Sequence, residues 1–162
     1  MNDLEFCIAT RRREAPAFAR VLRAMPQDRL DYQPEPRSRT AAALAWTIVC
    51  EETALVSLLD TGTIEWTTAK PPATVEEFAA AYEQSAADVD ARLAKLEEAG
   101  WRKGGRFHVG GGNYWEQTVA EFVWLFLLDG IHHRGQLSTY LRPMGGKVPA
   151  IYGPSADDSG QG

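Results

Sequence analysis

Hydrophobic residues three and four apart recur in four long segments of this chain, and prolines or glycines break every gap between them. Such spacing requires amphipathic helices that each bury one stripe, and it leaves no alternating run from which to build a sheet. The first segment runs from about Asp3 to Met25, with Leu4, Ile8, Ala15, Phe18, Leu22 and Met25 near one face. Pro16 lies inside it, where the ring opposes the carbonyl four residues back, so the segment reads as a kinked helix or as two pieces. Pro26, Pro34 and Pro36 mark an irregular linker. The second helix is expected to start after Ser38 as its cap, to run through Ala41 to about Asp60, and to stop at Gly62. Residues 63–73, with Trp66 and Pro71-Pro72, read as an extended connection.

Thr74-Val75-Glu76-Glu77 is a capping-box pattern opening the third helix, whose Val75, Phe78, Tyr82, Val89, Leu93 and Leu96 keep the period until Gly100. Residues 100–113 hold six glycines and read as a surface loop or a short hairpin. The fourth helix covers about Tyr114 to Arg142, ended by Pro143 and Gly145-Gly146. The expected architecture is a single domain over residues 1–162. It is all-α, a four-helix bundle with a largely extended tail over about 143–162.

Charge narrows the partners. With 17 Lys and Arg against 22 Asp and Glu, the formal charge is −5, which argues against nucleic acid as a partner. Cys7 and Cys50 form no CxxC and no disulfide framework, so a reducing, cytoplasmic setting is expected. Asn2, Asp3 and Glu5 do not make the basic start of a signal peptide. The apolar stretch Val119 to Leu128 is about half of the ~20 residues that span a bilayer. It contains Glu121 and runs into Asp129, so it reads as a buried helix and no membrane partner is expected.

On a helical wheel, Phe122 and Leu125 of the fourth helix define an apolar face that Asp129, His132, His133, Gln136 and Tyr140 continue. Polar groups on a core-facing stripe need partners. The second helix brings Glu51 into the middle of the stripe Leu44, Ile48, Leu55 and Leu58, with Thr47 one turn earlier and Glu52 a quarter turn away toward solvent. Two readings follow from this spacing. One is a hydrogen-bonded network, Asp129 accepting from His133 and Glu51 accepting from Arg134 or Gln136. The other is a divalent ion held by one imidazole and one or two carboxylates, with water completing its shell. Elsewhere, His108 reads as an exposed loop residue, Arg11-Arg12-Arg13 as a solvated helix face, and Cys7 and Cys50 as core packing. Trp115 and Trp124 read as packing or dimer contacts. There is no GxSxG, P-loop or dinucleotide fingerprint.

The run Asp129-Gly130-Ile131-His132-His133-Arg134-Gly135-Gln136-Leu137, continued by Ser138-Thr139-Tyr140-Leu141-Arg142, resembles the last-helix signature of the DinB family. Leu44-Ala45-Trp46-Thr47-Ile48-Val49 before Glu51-Glu52 resembles that family's second helix, and Val148-Pro149-Ala150-Ile151-Tyr152-Gly153-Pro154-Ser155 resembles the tail of one subgroup. The resemblance implies a bundle that is commonly dimeric and binds zinc or nickel through three histidines, with thiol-dependent transferases or isomerases among its relatives. His133 matches the last ligand. Asp129 stands where many members have histidine, and Thr47 stands where the second-helix histidine is expected. A threonine hydroxyl is a poor ligand for either metal, and Glu51, one turn along, is the replacement. The expected function is therefore a DinB-like, divalent-metal-dependent enzyme of small-molecule metabolism, performing thiol-dependent transfer or hydrolysis as a homodimer. Its zinc or nickel is held by His133, Asp129 and Glu51, and His132 or Tyr140 transfers protons. The alternative is a non-catalytic dimeric bundle whose degenerate metal site binds a small molecule.

Overall fold

The computed structural model describes residues 1–66 and 69–160. Among them lie α1 (Asp3–Arg23), α2 (Ala41–Thr61), β1 (Thr63–Ile64), α3 (Val75–Leu93), the single-turn α4 (Glu98–Trp101), β2 (Gly104–Gly110), β3 (Asn113–Thr118) and α5 (Val119–Leu141), with a 3-10 turn at Gln27–Arg29. The fold is mostly helical, but it carries a small three-stranded sheet that the all-α expectation lacked.

Local chemistry accounts for the helix starts. Asn2, Thr74 and Thr118 each cap a helix through a capping box, with Glu5, Glu77 and Glu121 returning the bond to the cap's own backbone N–H. Thr40, not Ser38, caps α2, because the Ser38 hydroxyl is engaged with Glu35 while Thr40 accepts from the Ala43 N–H. Gly62 ends α2 in the left-handed conformation that the cap requires. Pro16 neither splits nor ends α1, since buried Cys7, Arg11 and Glu14 before it and Phe18, Val21 and Leu22 after it hold one continuous element.

The third helix ends at Leu93, short of Gly100, and the chain turns to bury Trp101, whose Nε1 donates to Asp3 Oδ2 at 2.8 Å. The segment then forms the hairpin. β2 and β3 pair antiparallel, with Phe107 opposite Trp115 and His108 opposite Tyr114, and β1 joins β2 in parallel. Gly111 and Gly112 make its turn at positive φ. Tyr114 to Thr118 therefore belong to a strand, and α5 starts at Val119.

α1, α2, α3 and α5 pack as a closed ring, α2 against α3 and α5, and α1 against the same two. Their interior divides along its length. One apolar cluster gathers Phe18, Leu22, Leu44, Ile48, Phe78, Tyr82, Leu137 and Leu141, and the other gathers Leu4, Leu55, Leu58, Val89, Leu93, Phe122, Val123 and Phe126. Between the two in sequence on α1, α2 and α5 lies a polar layer, Arg11 and Glu14, Glu51 and Glu52, and Arg134, while Ser85 of α3 lies at the edge of the first cluster. Among the described residues, the helix long and apolar enough to cross a membrane is α2, not the segment 119–128, and most of its apolar window is buried inside the protein. It is a core helix.

Candidate functional site

The polar layer is almost fully paired, which makes its exception informative. Arg11 donates to both Glu52 oxygens, at 3.3 and 2.6 Å, and to Asp90 at 3.1 Å. Arg11 and Glu52 are thus buried partners rather than the solvated residues their neighbours suggested. Arg134 donates to Glu14 at 2.9 Å and to the Tyr152 hydroxyl at 2.6 Å, and its guanidinium lies over the Phe18 ring. Glu51 remains. It is 3% exposed, and neither carboxylate oxygen has a hydrogen-bond partner. Neither donor of the purely structural network reaches Glu51: Arg134 is engaged with Glu14, and Gln136 contacts His133 through its Oε1. Two guanidiniums and three carboxylates share the layer, and Glu51 is the surplus carboxylate.

Burial first, and the nearby Asp129 carboxylate second, push the Glu51 carboxyl up to about 9. His133 Nε2 stands 3.3 Å from Glu51 Oε1 and 3.7 Å from Asp129 Oδ2, near enough for charge interaction, though the Glu51 contact lacks hydrogen-bond alignment. The other ring nitrogen, Nδ1, lies 3.0 Å from Gln136 Oε1, an atom that can only accept. That contact orients the ring so that Nε2 faces the two carboxylates. One ligand atom from each of Glu51, Asp129 and His133 lies within 4.8 Å of the others, a group that can hold a metal ion. Gly130 lets the helices approach there: a Cβ on it would meet Glu51 Oε2 at 3.2 Å and the Phe18 ring at 3.4 Å.

The trio opens into a cavity of about 670 Å³ lined on its polar side by Arg39, Thr47, Glu51, Asp129 and His133. The opposite wall is apolar, from Trp66, Phe107, Val109, Trp115, Leu125 and Phe126, with His108 at its edge. The rings of Trp66, Phe107 and Phe126 lie within 6.4 Å of one another. A partly polar concave site beside an aromatic wall is the ordinary form of a small-molecule pocket.

Helix α5 turns its core face through Phe122, Phe126, Gly130, Arg134 and Leu137, so the polar stripe runs along the cavity edge instead of inside the helices. Asp129, Gln136 and Leu125 are exposed there as a result. His132 is exposed, stands outside the cavity lining, and touches the site through its ring, 5.4 Å from that of His133. Tyr140 lines an adjoining cavity of about 270 Å³ that shares Arg39 and His133 with the first, its hydroxyl donating to the Arg39 carbonyl at 3.4 Å. Thr47 is in the cavity but turned to other work, donating to the Ala43 carbonyl at 3.0 Å and accepting from Arg39 at 2.7 Å. Cys7 and Cys50 are buried free thiols, pushed up to about 12 and about 11 by that burial, and are unsuited to act as nucleophiles. Sequence periodicity missed Arg39, Trp66, Phe107 and His108 as site residues, and Trp115 reads from sequence as a packing or dimer contact. These residues reach the site from a loop and a hairpin, where no helical period operates.

Two DinB-like proteins share this fold. That of Bacillus cereus aligns with a TM-score of 0.74 at 18% identity, covering 91% of this chain and 97% of its own. That of Bacillus subtilis aligns with a TM-score of 0.67 at 16% identity, covering 86% of this chain and 92% of its own. No curated protein matches the sequence. The model of the DinB family matches residues 7–161, nearly the whole length, and the chain belongs to the DinB family.

Proposed function

We propose that this protein is a divalent-metal-dependent enzyme of small-molecule metabolism, with the ion held by Glu51, Asp129 and His133 and the substrate taken into the aromatic-walled cavity. The observation that carries this reading is Glu51, a buried carboxylate with no hydrogen-bond partner, beside His133 Nε2 and a second carboxylate. When bound, the ion supplies Lewis acidity for thiol-dependent transfer or hydrolysis. The chain's own residues do the rest. Gln136 fixes the His133 ring through Nδ1, Gly130 keeps α5 close enough for Glu51 to reach the trio, and the rings of Trp66, Phe107 and Phe126 exclude water from one wall. His108 lines the cavity and Tyr140 and His132 flank it, so these three are the groups placed to move protons.

The reading includes zinc or nickel as the ion, a cytoplasmic setting and a homodimer of the four-helix bundle. Sedimentation giving only a species near 17.9 kDa would remove the dimer. Elemental analysis after purification without a chelating tag tests the metal. A near-stoichiometric divalent ion, or clear thermal stabilisation of metal-free protein by zinc, nickel or manganese, is the expected result. Metal below about a tenth of stoichiometry together with no stabilisation would leave the second reading, a non-catalytic small-molecule binder. Arg39 occupying the hydroxyl of Thr47, where the family resemblance expects a ligand, is the observation on that side.

A further inference from the structure

Arg39 is an exposed arginine at the rim of the cavity. Every other arginine that lines or borders the polar layer has a carboxylate: Arg11 has Glu52 and Asp90, and Arg134 has Glu14. Arg39 lines the cavity beside two carboxylates and makes no ion pair among the described residues. One of its Nη atoms donates to Thr47 Oγ1 at 2.7 Å, and its carbonyl receives the Tyr140 hydroxyl. The guanidinium is thereby tethered at the wall between two adjoining cavities, with its remaining N–H groups unengaged by protein side chains among the described residues.

The opposite wall has its own anomaly. Large apolar side chains left exposed on a protein surface are ordinary when scattered and informative when they converge. Trp66, Val109, Trp115 and Leu125 are all exposed, and all four line this one cavity. A second cleft of the same volume, between β2 and the start of α5, has no such wall. It is lined by Thr61, Lys103, Arg106, Glu116 and Glu121, with Arg106 and Glu116 already paired at 3.0 Å.

We propose that Arg39, held by Thr47, is an anion-binding subsite facing the aromatic wall, so that the cavity selects small molecules with an aromatic or similarly flat apolar body and one carboxylate-like anionic group. The geometry matches that class at both ends. A planar guanidinium recognises a carboxylate through paired N–H donors, and the rings opposite take the flat body. Thr47 is then a positioning residue: where a histidine would ligate, its hydroxyl instead fixes the guanidinium.

This inference rests on the cavity being the ligand site, as in the proposed function, but it does not require that a metal be bound. The test is calorimetric titration of the full chain, with and without zinc, using phenylacetate, 3-phenylpropionate and 4-phenylbutyrate against the corresponding neutral amides. At least one acid is expected to bind about tenfold more tightly than its amide, as a charge-assisted pair provides. Arg39→Gln should erase that preference while leaving amide affinity within about threefold, Arg39→Lys should restore part of it, and Trp66→Ala should weaken acid and amide alike. Three results would overturn the proposal: acid and amide binding equally to the unaltered protein, the preference surviving in Arg39→Gln, or none of the acids binding at millimolar concentration. Failure of the metal reading shows separately, as no change in melting temperature on adding zinc to the unaltered protein, with the Arg39-dependent preference intact.

Discussion

Burying an ionised carboxylate without a donor costs several kcal/mol even after a protein relaxes around it, so Glu51 must be either protonated or ion-bound. In metal-free protein it is the first. Its carboxyl lies at about 9 against an ordinary 4.5, and the sign of the linkage follows. The folded state holds a proton that the unfolded state has released, so the stabilising contribution is complete below about 4.5 and disappears as pH rises through about 9. Urea unfolding of metal-free protein should therefore show stability declining between pH 5 and 9, and Glu51→Gln should flatten that decline. Arg134 is the opposite case, a buried charge already satisfied by Glu14 and Tyr152 and stacked on Phe18. Arg134→Met strands the Glu14 carboxylate, and equilibrium unfolding should show a loss of about 3–5 kcal/mol. Thr47 supplies a gain of function. It lies one turn before Glu51 in the same cavity, so Thr47→His should raise zinc affinity at least about tenfold, read by competition with a chelating dye. Unchanged affinity would show that position 47 cannot reach the ion.

Among the elements, the contact of α2 with α5 decides whether the trio can form. Gly130 is the narrow point, and Gly130→Ala inserts a methyl group 3.2 Å from Glu51 Oε2. The carboxylate must shift by a few tenths of an ångström, so zinc affinity should fall more than fold stability does. Equal losses in thermal shift with and without zinc would refute this. The helices were readable because each buries a stripe, and the readable stripe included Glu51, Asp129 and His133. The strands were readable only in part: a short hairpin was one of two alternatives over 100–113, and β1 left no signal. β2 is rich in glycine and mostly exposed, with Gly105 its one buried residue, so no apolar alternation marks it. The start of α5 was nonetheless written in Thr118-Val119-Ala120-Glu121, a capping box that sets the helix start five residues after Tyr114.

Across the whole molecule, two apolar clusters enclose a layer of charge, and that arrangement explains what a linear reading misassigned. Arg11 sits between residues that read as solvated, but its partners Glu52 and Asp90 come from α2 and α3. Pairing across helices leaves no trace in local spacing. The same holds for the cavity, which Arg39 enters from the loop before α2, Trp66 from beyond β1, and Phe107 and Trp115 from the hairpin. Placement carried one thing through to the end: of the three histidines only His133 matches a ligand position of the family, and the structure sets it beside two carboxylates. The central claim is that these three side chains hold a divalent ion in place of the proton on Glu51. Calorimetric titration of zinc into metal-free protein near neutral pH, repeated in buffers of different ionisation enthalpy, measures both halves of it. The account predicts one ion per chain with release of about one proton that Glu51→Gln does not release. No saturable binding, or the same proton release from Glu51→Gln, would contradict it.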